Sequence, residues 1–331
     1  MSNLQGVWSL VSQYQAIGNN NWADPLVGDI GLIAKSQTAS VIEFVNIASD
    51  GNAEDFGDKS NDQGTTSACG SSTRALFRVE YITDNNLTLE FCEISRKGNT
   101  SDFGDLIELD STAGGALSNN TRGIFLGGSK TSVGDHDQIE YVTIASTGNA
   151  TDFGNMNPAR DFFGTLASST RGVSGMGRVA SGDYSNNVID YITIASTGNA
   201  SDFGDMSVAR LDADGVSSGT RGVFGGGYNS QGAYSGTSSR LNVMDYITIA
   251  STGNATDFGD LTAYGQVGGT SNKTKGIFIY GVEIGFSPDS ADTNTIDKIT
   301  IASTGNATDF GDMSQVNGNK ARATSNSHGG I

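Results

Sequence analysis

Three prolines, two histidines, two cysteines and two tryptophans are all that the 331 residues hold of those types, and each scarcity excludes something. Two cysteines cannot make the framework of a disulfide-stapled domain, so Cys69 and Cys92 are expected as buried thiols. With only His136 and His328 beside them, most transition-metal cages are out of reach. Basic residues number 19 against 36 acidic ones, a formal charge of −17. Phosphate backbones bind through Lys/Arg clusters and counterion release, so nucleic acid and anionic membranes are not expected partners. Nowhere do eighteen apolar residues run together, and the opening Met-Ser-Asn-Leu-Gln-Gly-Val-Trp has neither a basic nor an apolar leader segment. No membrane span and no signal peptide are expected, and synthesis in a cytoplasm is.

What the chain has is glycine, 46 residues of it, and repetition. The sentence Ile-Ala-Ser-Thr-Gly-Asn-Ala-Thr-Asp-Phe-Gly-Asp recurs at 144–155, 194–205, 249–260 and 301–312, with worn copies at 47–58 and 94–105. Its phenylalanines, Phe56, Phe103, Phe153, Phe203, Phe258 and Phe310, are 47, 50, 50, 55 and 52 residues apart. Such a period is too long for one rung of a β-helix and fits four short antiparallel strands, one propeller blade. In the unit at 207–262, small residues after Ala209-Arg210 give strand A, Thr220–Gly227 strand B, Val243–Ala250 strand C and Thr256–Leu261 strand D.

The ends complete the count. The first unit begins at a strand B, Ile30–Lys35, followed by C at 41–48 and D at 53–58, and lacks a strand A. The tail supplies a spare strand at 319–327. Joining the two closes the ring and removes a free sheet edge. The predicted fold is therefore all-β: a six-bladed propeller over 28–331, its first blade closed by the C-terminal strand. Residues 1–27 stand outside the repeat, where Leu10, Val11, Tyr14 and Ile17 mark a short amphipathic helix between Ser9 and Gly18, a plug or a docking element. The tail His328–Ile331 reads like the start of a further strand B.

The run Phe224-Gly-Gly-Gly with Asp245-Tyr246 and Asp257-Phe258 resembles the kelch repeat of β-propellers, with Phe where kelch has Trp and a longer turn after Tyr246. The whole unit, with Thr-Arg-Gly-Val-Phe-Gly-Gly-Gly and the lead-in Gly-Val-Trp-Ser-Leu, is more closely similar to repeat proteins of tailed bacteriophages. That resemblance implies a virion structural or tail-fibre protein, made in the host cytoplasm, partnered by other virion proteins and by a host surface glycan or receptor.

Asp-Phe-Gly is also the metal-binding signature of protein kinases, but here it occurs six times without a Gly-rich loop, a strand lysine or a catalytic Asp/Asn pair, so that reading is discarded. A structural turn is expected instead: Asn and Asp bonded to their own backbone, Gly at positive φ, Phe wedged between blades. Asn254, Asp257 and Asp260 offer oxygens at three-residue spacing. Calcium wants six to eight oxygens and several carboxylates, so no cofactor is expected. A basic position recurs at Arg74, Arg122, Arg171, Arg221 and Lys275, with His328 at the matching place in the tail. Because it repeats, it is expected to be structural, pairing or stacking with an Asp or Phe of the neighbouring repeat. No nucleophile elbow or Ser/His/Asp arrangement is visible, and no enzyme is expected. Between strands B and C the units diverge, and in an antiparallel blade those loops share one rim, where a scaffold carries recognition. The candidate ligand-binding residues are Asp135, His136, Tyr184, Asn186, Tyr228, Asn229, Tyr234, Arg240 and Phe286, rings for stacking on sugars and polar groups for hydrogen bonds.

Overall fold

The computed structural model describes residues 26–35, 40–60, 64–80, 87–107, 113–130, 134–179, 185–229, 239–281, 294–314 and 320–331. The predicted helix between Ser9 and Gly18 lies outside them. Among the described residues every regular element is a strand.

The strands form six four-stranded antiparallel sheets. In A-to-D order, blade 1 is Arg322–Ser325, Ile30–Ala34, Val41–Asn46 and Glu54–Asp58, and blade 2 is Thr65–Gly70, Arg74–Glu80, Leu87–Glu93 and Ser101–Asp105. Blade 3 is Gly115–Ser118, Arg122–Lys130, Gly134–Thr143 and Thr151–Asn155; blade 4 is Gly164–Ala167, Arg171–Gly177, Asn186–Thr193 and Ser201–Arg210. Blade 5 is Asp214–Ser217, Arg221–Gly225, Val243–Thr248 and Thr256–Asp260, and blade 6 is Val267–Ser271, Lys275–Tyr280, Thr295–Thr300 and Thr308–Asp312. The six A strands touch in an unbroken circle around the axis. The predicted propeller is the observed fold, with the tail strand in blade 1 paired Gly31 to Ser325 and Leu32 to Thr324.

Each gap between blades holds one hydrophobic cluster, and each cluster contains one repeat phenylalanine. Phe56 packs with Phe77 and Ile94 of the next blade, Phe258 with Phe278 and Ile301, and Phe310 with Val45 and Ile47 across the closure. In five blades the ring also meets the strand C aromatic of its own blade edge-on, as Phe203 meets Tyr191 at 6.1 Å. Such edge contacts add about 0.5–1.5 kcal/mol to the burial of the ring.

A second residue repeats with the same spacing. Thirteen positions before each phenylalanine stands an acid: Glu43, Glu90, Glu140, Asp190, Asp245 and Asp297. All six are buried. Most accept a hydrogen bond from the link leaving the preceding blade, as Asp245 does from Ser207 Oγ (2.6 Å), Asp297 from Thr262 N–H (2.8 Å) and Glu140 from Ile107 N–H (2.8 Å). Asp190 and Asp245 also pair with the fully buried Arg160 (2.8 Å) and Arg210 (2.9 Å). A buried charge needs both a counter-charge and hydrogen bonds; Asp245 has both, from Arg210 and Ser207, and Asp190 has its counter-charge in Arg160.

Candidate functional site

Strand alternation divides the loops between two rims. The A–B and C–D turns emerge on one, and the B–C and D–A connections on the other.

The first rim is welded. The Gly-Asn-Ala of each C–D turn, Gly98-Asn99-Thr100 in blade 2, lies against strand D of the preceding blade, not against its own backbone as the sequence suggested. Asn254 Oδ1 accepts from Asp205 N–H (3.1 Å), while Gly253 N–H donates to the Phe203 carbonyl (2.7 Å) and Ala255 N–H to that of Asp205 (2.8 Å). The same triple recurs at all six junctions, closing where Gly51, Asn52 and Ala53 meet Phe310 and Asp312. This explains the glycine of Asp-Phe-Gly. Gly204 has φ +147°, and a Cβ there would stand 2.5 Å from the Gly253 carbonyl oxygen, inside any real contact.

The recurring basic residues belong to this rim too; Lys275 pairs with Asp50 of the neighbouring blade as expected, while the arginines find other partners. Arg122 stacks on Tyr141 of its own blade (4.5 Å) and donates to the Ile194 carbonyl of the next (2.9 Å); Arg171 does the same with Tyr191 and Ile249. Arg74 and Arg221 repeat the pattern, and Lys275 reaches Ala48 and Asp50 in blade 1. A guanidinium lies flat on a ring while its edge donates to carbonyls, and the carbonyls just past the end of strand C are there to accept.

His328 is not a member of this set. The tail turns across the axis, where His328 Nδ1 accepts from Gly330 N–H (3.1 Å) and Nε2 donates to the Gly70 carbonyl (3.1 Å). Burial pushes its imidazole down to about 4, the Gly70 carbonyl opposing. The tail caps the axial end instead of starting a strand.

On the opposite rim, Asp135 and His136 begin strand C of blade 3, facing Ser129 and Gly128. Asn186 opens strand C of blade 4 opposite Gly177. Tyr228 and Asn229 pair with Arg240 and Ser239 in a two-residue ribbon. Ser185 Oγ donates to Asn229 Oδ1 (3.4 Å), which draws the blade 4 and blade 5 edges together. Tyr184, Tyr234 and Phe286 lie outside the described residues.

Three residues not singled out in the sequence join them. Arg178 Nε donates to Asp161 Oδ1 at 2.9 Å, Nη2 contacts Oδ2, and the guanidinium lies 4.8 Å over Phe162. Burial pushes the Asp161 carboxyl up to about 6; Arg178 opposes this and Asp135 adds to it. Burial also acts to lower Arg178, but Asp161, Asp135 and Tyr228 together raise it above its ordinary value. Asp135, Asp161, Arg178 and Tyr228 are thus one electrostatic group across blades 3 to 5. The signal was in the sequence as Arg160-Asp161-Phe162 against Arg210-Leu211-Asp212, a repeat whose second and third members change.

Among the described residues no group of three or more His, Cys, Asp or Glu is placed to hold a metal ion. Asn254 is committed to the weld, and Asp257 is exposed. Cys69 and Cys92 are unbridged and buried, their thiols pushed up to about 12 by burial. Neither the known protein-family models nor the characterised proteins include a match to the chain.

Proposed function

We propose that the protein is a virion component of a tailed phage, a tail-fibre or tail-associated adhesin, whose variable rim binds a host surface glycan or protein without turning it over. The observation that supports this is the division of labour between the rims. The repeated residues are used in joining blades, while the residues that differ between blades gather on the opposite rim, where Asp135, Arg178, Tyr228 and Asn229 offer charge, a ring edge and amide groups together. Selection for shape alone has no use for that division, whereas a scaffold presenting a recognition surface does. The kelch-like pattern and the likeness to phage repeat proteins point the same way, and residues 1–27 or a flat side are left for attachment to the particle.

The test is a host-polysaccharide array probed with the full chain, with D135N and N229A alongside. Saturable binding that weakens at least about tenfold in both variants is expected, the loss of one or two polar contacts, with no oligosaccharide released on incubation. Absence of binding to every host polysaccharide and envelope protein leaves a purely structural decoration module. Release of oligosaccharide makes the protein an enzyme.

A further inference from the structure

In a repeat protein the residues that build the frame recur, so a charged group that occurs in one blade only, on an inner surface, calls for another reason. The axis supplies one. The A strands enclose a cavity of about 70 Å³ lined by Thr66, Ser67, Thr165, Asp214, Thr270 and Arg322 among others, several times the room one water needs. The tail residues around His328 close it at the welded rim.

Arg322 faces Ala34 across its sheet; the matching positions of the other A strands are Ser67, Gly115, Gly164, Asp214 and Gly268. One level of the axis therefore carries a single cation, a single acid, and otherwise hydroxyl or backbone. The acid is already engaged: Asp214 Oδ1 accepts from Gly215 N–H (2.9 Å) and Thr165 N–H (3.4 Å), Oδ2 from Gly269 N–H (3.1 Å), and Lys320 Nζ lies 3.9 Å away. Lys320, itself buried, donates to the Ala213 carbonyl (2.7 Å). Asp212 accepts from Gln266 (2.9 Å). The Arg322 side chain makes no hydrogen bond to any described residue, and its Nε is buried with no acceptor. Asp214 and Asp212 act on it through space only. A guanidinium donates through a planar fork of five N–H groups; Arg322 is half-buried, and its Nε, shut away without an acceptor, leaves one arm of that fork unsatisfied, which is costly.

We propose that Arg322 anchors an oxyanion-binding site in the axial cavity, one that takes a carboxylate or phosphate-type group in the plane of the guanidinium with the hydroxyls of Ser67, Thr66 and Thr270 around it. The cavity admits a small anion, or the anionic group of a larger molecule that enters from the variable rim. The site is independent of the rim reading: anion binding and glycan binding are separable in the same preparation.

The experiment is calorimetric titration of the full chain, in chloride buffer at constant ionic strength, with acetate, glucuronate, phosphate and sulfate. One-site saturable binding of at least one anion is expected, weakened about tenfold or more in R322M and less in R322K, which keeps the charge but not the fork. Preference for acetate and glucuronate assigns a carboxylate ligand; preference for phosphate and sulfate assigns a phosphate-type one. No saturation with any of the four overturns the proposal, the cavity then holding water alone. Unchanged titration of both variants also overturns it, as an adventitious ion bound elsewhere. Should the variants not fold, the Arg322 Nε–Hε resonance of the unmutated chain must move with saturation, and its standing still has the same force.

Discussion

At the junction of blades 4 and 5 the two rims can be compared within one step of the ring. On the welded side, Asn254 accepts from Asp205 N–H, Gly253 and Ala255 add two backbone bonds, and Arg171 bridges to Ile249. On the other side, the same two blades meet through Ser185 and Asn229 at 3.4 Å and through the bridge between Leu211 and Tyr228. The welded side repeats at all six junctions because each blade sees an identical neighbour there. The variable side meets nothing that repeats, so nothing holds its residues to one choice. The comparison teaches that in a closed ring repetition measures blade-to-blade contact, and its absence marks surface left for other uses.

The heaviest test removes the ring behind the weld. Phe203→Ala empties a site in the blade 4–5 cluster and is expected to cost about 3–5 kcal/mol in denaturant unfolding, whereas N229A on the far rim is expected to stay within about 0.5 kcal/mol. Comparable losses from the two would break the distinction. A smaller effect is expected from Gly204→Ala, about 2–4 kcal/mol, since the new Cβ meets the Gly253 carbonyl at 2.5 Å and the backbone leaves its favoured region. A stability equal to wild type would mean that the turn and strand D are not in register.

The smallest effect is in pH, and it carries opposite signs at the two ends. His328 has a folded value of about 4 against an ordinary 6.5. As pH falls through 6.5 the unfolded chain takes a proton that the native tail does not, and about 1–2 kcal/mol of stability is lost by pH 5. Asp161 on the variable side has a folded value of about 6 against 3.8. The native state there takes the proton first, so stability is gained between pH 6 and 4. Unfolding of H328N is therefore expected to lose less stability on acidification than wild type, and that of D161N to lose more. Parallel pH profiles for all three proteins would contradict both placements.

The seam shows how far covalent continuity matters. In the five intact blades a side chain or turn joins A to B; Asn272 Oδ1, for example, accepts from Lys275 N–H (2.6 Å). In blade 1 the chain is cut at that turn, yet Asn326 Oδ1 accepts from Ile30 N–H (2.9 Å) across the break. Ile30 stands where the other blades have arginine or, in blade 6, Lys275. Its bridge is replaced by Leu26 N–H donating to the Ser95 carbonyl (2.7 Å), and its ring contact by Lys97 lying over Phe44 at 4.6 Å. The geometry of the weld was kept while the residues making it changed.

The period of Phe56 to Phe310, the alternation in strands such as Val243–Thr248, and the mismatch of the two ends were enough to read the propeller and its closure, because strand spacing and edge pairing are local or countable properties. The six buried acids were present with the same period but passed unread, since an acid in a strand looks like a solvent-facing residue until its neighbours are known. Of the candidate rim, Asp135, Asn186, Tyr228, Asn229 and Arg240 could be named from divergence alone. The pairing of Arg178 with Asp161 could not, being a contact between the link entering blade 4 and the far end of that blade's strand B.

By itself the sequence determined the number of blades and which segments repeat, because backbone hydrogen bonding and burial set a period that composition cannot hide. Only the tertiary structure decided that Asn254 serves the blade before it, that the tail caps the axis, and that Arg322 stands beside Asp214 with no acceptor of its own. Those facts depend on which surfaces face each other once the ring is closed, and closure brings together residues as distant as Ile30 and Asn326.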